Sequence, residues 1–110
     1  MPFRDWQNRI QDILDAIAEI ESFTDGMTYE QFQADLKTLR AVLYNLAIIG
    51  EVVRSVPPEV KAQHPEIPWD DMQGMRNIVI HEYFQVNLEI IWQTIQEDLA
   101  PLAASLHQLL

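Results

Sequence analysis

Residues 28–55, TYEQFQADLKTLRAVLYNLAIIGEVVRS, decide the fold. Phe32, Leu36, Leu39, Leu43, Leu46, Ile49, Val52 and Val53 recur at steps of three and four, the spacing of a helix face. The run predicts one helix of roughly 28 residues, about 42 Å long at 1.5 Å per residue. Thr28 with Gln31 three positions later forms a capping box at its start, and Pro57-Pro58 stop it. From Ala41 to Val53 the helix is apolar on more than one face. Leu43, Leu46 and Ile49 are expected in the core, with Val42, Ile48 and Val52 pointing elsewhere. A helix apolar nearly all round is buried on two sides, and in so small a chain the second side predicts a subunit interface. Gly50 costs this helix about 1 kcal/mol relative to alanine, so a close approach by another helix is its expected reason.

The flanking sequence is helical too. Trp6, Ile10, Ile13, Leu14, Ile17 and Ile20 predict a first helix over roughly residues 5–22, capped by Asp5. Asp25-Gly26 marks the turn that follows. Pro58 can open a short helical turn. His64-Pro65-Glu66-Ile67-Pro68 must be extended or turn-like, and Trp69 is expected to anchor it to the core. Asp70 and Asp71 suit the first turn of the next helix, which carries Met72, Met75, Arg76, Val79 and His81. The pattern loosens around Phe84–Asn87. Leu88, Ile91, Trp92, Ile95 and Leu99 then form a last stripe, which Pro101 should kink or break. The expectation is a single all-α domain over 1–110, an up-down bundle of four to five helices.

Composition narrows the function. The chain has no cysteine, which excludes disulfides, thiolate zinc sites and a cysteine nucleophile. With three glycines it has no glycine-rich phosphate loop. No apolar run is long enough for a membrane span and no export signal is visible, so a cytoplasmic location is expected. Seventeen acidic against seven basic residues give a net charge of −10. That excess repels phosphate backbones at long range and argues against a nucleic-acid coating protein. It still permits a nucleic-acid enzyme that concentrates its few cations at one site, and it equally suits a basic partner.

One segment carries chemistry, Met75-Arg76-Asn77-Ile78-Val79-Ile80-His81-Glu82-Tyr83-Phe84. Burying an arginine beside apolar residues is costly unless it is paired or faces a wet cleft. Arg76 and His81 are five apart, about 140° around an ideal helix, so they share no stripe. Spacing alone leaves two readings open. In one, Arg76 pairs with a carboxylate and His81 is a hydrogen-bonded core residue. In the other, both reach one cleft, completed by a second subunit. Tyr83 reads by position as an interface ring with its hydroxyl at the edge. Tyr29 and Tyr44 are expected to pack. Glu51 reads equally as a cleft residue, a solvated carboxylate or an arginine partner. His64, His81 and His107 lack metal-ligand spacing. Met72 and Met75 read as core filling.

The run Gly74-Met75-Arg76-Asn77…His81-Glu82-Tyr83 resembles the Arg-x4-His-x-Tyr signature of HepT-like toxins, a branch of the HEPN superfamily. Ile48-Ile49-Gly50-Glu51-Val52-Val53 is similar to that family's IIGEA stretch, and Pro65-Glu66-Ile67-Pro68-Trp69 to the loop before its active-site helix. Val86-Asn87-Leu88…Ile91-Trp92 and Leu99…Leu102 match as well, so the likeness runs from Leu36 to Leu102.

The resemblance implies a HEPN-like, dimer-forming bundle and the toxin of a type II toxin–antitoxin pair. It implies an endoribonuclease that needs no metal or other cofactor, with Arg76 and His81 catalytic and Asn77 supporting. It further implies a nucleotidyltransferase antitoxin that adenylylates Tyr83. The partners expected are a second copy, that antitoxin and RNA, without membrane or DNA. The other reading of the resemblance is a non-catalytic module that docks a nucleotidyltransferase.

Overall fold

The computed structural model describes the backbone of residues 2–81 and 87–110, and the side chains of residues 6–77, 79 and 87–110. Among the described residues every regular element is a helix: α1 (Pro2–Thr24), α2 (Tyr29–Ala34), α3 (Leu36–Val53), α4 (Pro58–Gln63), α5 (Trp69–His81), α6 (Leu88–Glu97) and α7 (Leu99–His107). The all-α expectation holds. The segments exceed four or five because two of the long periodic stretches are each divided.

The first division falls at Asp35. Its backbone leaves the helical region (φ −98°, ψ 90°), ending α2 and capping α3. One carboxylate oxygen accepts the Thr38 backbone N–H at 3.1 Å, and the other accepts the Thr38 hydroxyl at 2.9 Å. Aspartate competes with the helix for its own backbone, which the apolar period alone does not reveal. These bonds hold the Asp35 carboxyl below its ordinary value of 3.8. The second division falls at Asp98, three residues before Pro101. Pro101 cannot donate to residue 97, and its ring would collide with that carbonyl, so it sits in the first turn of α7.

Asp5, expected to cap the first helix at about residue 5, instead lies within it, because α1 already begins at Pro2. Three further local signals act in the structure. Thr28 and Gln31 exchange both bonds of the capping box, at 3.1 and 2.9 Å. The Asn87 side chain accepts from the Glu89 and Ile90 backbone and starts α6, a cap not foreseen in the sequence. Gly26 takes a positive φ of 75° in the turn after α1.

Helix α3 is the centre of the molecule, with α1 on one side and α5 on the other. Ile10, Ile13, Ile17 and Ile20 of α1 and Leu46, Ile49 and Val53 of α3 lie in the core, at most 1% exposed. Each such side chain contributes about 1.5–3 kcal/mol by burial. Val42, expected to point elsewhere, is fully buried. Packing within one chain thus covers Val42, while Ile48 and Val52 remain half-buried. Tyr44, expected to pack, is 69% exposed. Tyr29 does pack, its ring 6.3 Å from that of Trp92. Phe32 meets the same indole at 5.1 Å and fastens α2 to α6. No described helix is long and apolar enough to cross a membrane.

Candidate active site

Helix α5 carries the chemistry-bearing segment, and its placement begins with the loop before it. Trp69 is 6% exposed, and its indole N–H donates to the His64 carbonyl at 3.0 Å. The aromatic thus closes the proline-flanked loop and fixes where α5 starts. Asp70 and Asp71 occupy the first turn, where carboxylates complement the free N–H groups and the helix dipole. Met72 is buried against the core and Met75 is half-buried.

The contact between α5 and α3 depends on Gly50. A β-carbon added there would lie 2.8 Å from the Arg76 β-carbon, 2.8 Å from the Arg76 backbone nitrogen and 3.1 Å from the Gln73 carbonyl oxygen. Two of those atoms are backbone and cannot swing aside. The missing side chain therefore lets the helices meet where Arg76 leaves α5, the close approach that the glycine announced.

The adjacent residue on α3 then receives the guanidinium. Glu51 Oε2 is 2.8 Å from Arg76 Nε. The same oxygen is 3.6 Å from Arg54 Nη1 at the end of α3. Of the readings open for Glu51, the structure selects the arginine partner. The Arg76 side chain remains 36% exposed and Glu51 56% exposed, so the cluster faces water rather than the core. Two guanidinium groups and one carboxylate leave a local charge of +1 on a chain of net −10. Arg54 was only one cation among seven in the sequence. Its three-residue spacing from Glu51 was the available signal.

Asn77 is exposed on α5 beside Arg76. His81 closes the same helix, five residues and about 7.5 Å along the axis from Arg76. Its side chain lies outside those described, as does all of Tyr83. His64 stays in the loop, with Nδ1 3.6 Å from Glu66. His107 is in the last turn of α7, where a basic group suits the dipole. Among the described residues no cluster of histidine and carboxylate groups could hold a metal ion.

Known proteins similar to this chain fall in one family. The model of the family described as "Ribonuclease HepT-like" matches residues 13–109. A protein of Thermococcus cleftensis named "Probable ribonuclease HepT" is 41% identical over 106 residues, 96% of each chain. A protein of Methanocaldococcus jannaschii named "Putative RNase MJ0127" is 39% identical over 95 residues, covering 86% of this chain and 78% of its own. A similarly named protein of Caldanaerobacter subterraneus, "Putative RNase TTE0752", is 40% identical over 85 residues, covering 77% of this chain and 76% of its own. No solved structure gives a significant match.

Proposed function

The chain belongs to the HepT-like ribonuclease family, and from that premise we propose that it is a metal-independent endoribonuclease, the toxin of a toxin–antitoxin pair, with Arg76 and His81 as its catalytic residues. The observation that carries the proposal is the solvent-facing Arg76 guanidinium, which stands on the helix that bears His81 and is held at Nε by Glu51 of α3.

RNA brings its own nucleophile. The ribose 2′-oxygen attacks the adjacent phosphorus, the bond from phosphorus to the 5′-oxygen breaks, and a cyclic phosphate and a 5′-hydroxyl result. One group must accept the 2′-hydroxyl proton and one must protonate the leaving oxygen. Imidazole titrates close to neutrality and serves either role. In a homodimer two copies of His81 would divide them. The Arg76 guanidinium offers paired donors to the non-bridging oxygens, which gain charge as the phosphorane forms. Asn77, exposed next to it, would steady the phosphate.

Regulation follows from charge. A nucleotidyltransferase antitoxin would transfer adenylate from ATP to the Tyr83 hydroxyl, which displaces pyrophosphate. The new phosphodiester adds negative charge and bulk where RNA phosphate must enter, and blocks cleavage. A cytoplasmic location accords with both partners.

The test is RNA cleavage by purified protein in the presence of a chelator. Wild type is expected to cut. His81→Ala and Arg76→Ala are expected to keep the circular-dichroism melt and lose cleavage by at least about a hundredfold. Full activity in a folded His81→Ala protein would overturn the assignment. Mass spectrometry with the antitoxin and ATP should find adenylate on Tyr83 and none on Tyr83→Phe.

A further inference from the structure

A second feature lies on the other flank of α5. Asp71 and Arg76 are five residues, about 140°, apart around that helix. A groove of about 530 Å³ runs between this flank and the bend where α6 meets α7. Half-buried Met75 and Leu102, with exposed Pro68 and Pro101, supply apolar surface over a floor of buried Met72 and Leu99, and Glu66, Asp71, Glu97 and Asp98 supply four carboxylates around it. No described residue lining the groove is basic. All four carboxylate residues are exposed. Asp98 stands at the head of α7, yet its side chain makes no capping bond. Its charge is therefore not spent on the helix.

We propose that this groove docks a basic, amphipathic segment of a partner protein, apolar side chains against Met75 and Leu102 and lysines or arginines against the rim. Charge selects this occupant over others. Nucleic acid would bring phosphates to four carboxylates. A single metal ion does not fit, since no described histidine and carboxylate groups converge to hold one. Unbranched methionine side chains adapt to whichever apolar residue enters, and the surrounding charges fix its orientation. A helix laid in a groove is the commonplace form of such recognition. Because α5 also carries Arg76, an occupant here would bear on the helix that positions the guanidinium without entering its site.

The test is methyl NMR of the full chain with labelled methionines. The probes are an amphipathic leucine–lysine peptide and its leucine–glutamate counterpart. The lysine peptide is expected to shift Met72 and Met75 but not Met27, which lies at the turn before α2. Glu97→Gln with Asp98→Asn should weaken that binding about tenfold. The charge-matched pair Glu19→Gln with Glu21→Gln on α1 should leave it unchanged. The proposal is overturned if the methionines do not shift or if the glutamate peptide binds as well. It is equally overturned if both charge pairs weaken binding alike, which would be attraction to the net charge only. A changed oligomeric state of the Glu97/Asp98 variant in light scattering would make the groove a self-association surface and overturn it too.

Discussion

Glu51 grips Arg76 at Nε, 2.8 Å away, while the same carboxylate oxygen lies 3.6 Å from Arg54. An exposed pair of this kind contributes only about 0–1 kcal/mol to folding. Its value is in orientation, because a displacement of about 1 Å at a reacting group can cost a hundredfold in rate. Glu51→Gln should therefore leave the melting temperature almost unchanged and lower the cleavage rate by about ten- to a hundredfold. Thermal melting and single-turnover cleavage separate the two effects. A proportionate loss of both would show that Glu51 serves stability instead.

Gly50→Ala sets two effects against each other. Alanine gains about 1 kcal/mol in helix propensity. The added carbon collides at 2.8 Å with the backbone and β-carbon of Arg76, and overpacking of this kind costs about 1–3 kcal/mol. Because the obstacle includes rigid backbone, the collision should win. Differential scanning calorimetry is expected to show a lower melting temperature, with cleavage reduced because Arg76 is displaced.

Trp69 anchors its loop in two ways that substitution can separate. Trp69→Phe removes the bond to the His64 carbonyl and should cost about 1 kcal/mol. Trp69→Ala also empties a buried aromatic site and should cost about 3–5 kcal/mol. Urea unfolding of both variants measures the ratio, and equal losses would assign the anchoring to the hydrogen bond alone.

Asp35 gives the fold an acid-sensitive joint. Its carboxyl lies below the ordinary 3.8, lowered first by the Thr38 backbone bond and then by the Thr38 hydroxyl. A lowered value means that the charged form is favoured in the folded state. The stabilisation is fully present above pH about 4 and is lost as pH falls through the lowered value. Asp35→Ala should lower the melting temperature at pH 7, and the difference from wild type should shrink in strong acid. A difference independent of pH would remove the cap from the explanation.

The sequence reveals what is periodic or stereochemically forced. The stripes of α1 and α3, the Thr28 capping box and the proline-bounded loop before Trp69 all rest on such signals, and the structure contains them. Gly50 also announced its close contact, since a glycine within a helix has a local cost that only tertiary packing repays. The break at Asp35 was hidden because the apolar period runs straight through it, whereas Pro101 announced a break in the last stripe and left only its position, Asp98, open. A capping side chain creates the first, and a proline acting back on the preceding turn creates the second. Val42 was misplaced for a different reason. A central helix has two covered sides, and periodicity does not say which neighbour covers which. At the site, Arg76 was legible as an arginine needing a partner. That its partner is Glu51 depends on how closely α3 and α5 meet.

The charge triad of Glu51, Arg54 and Arg76 carries net positive charge on an acidic chain, and in the ribonuclease proposed above this would invert the usual response to ionic strength. Basic nucleases lose substrate as salt competes for phosphate. At the proposed site the long-range field would push RNA away, and only the last few ångströms would attract it. Moderate salt, with a screening length of about 10 Å at 0.1 M, quiets the repulsion over the approach more than it weakens the final contact. Encounter with RNA should therefore quicken between very dilute and physiological buffer before it slows at higher concentrations.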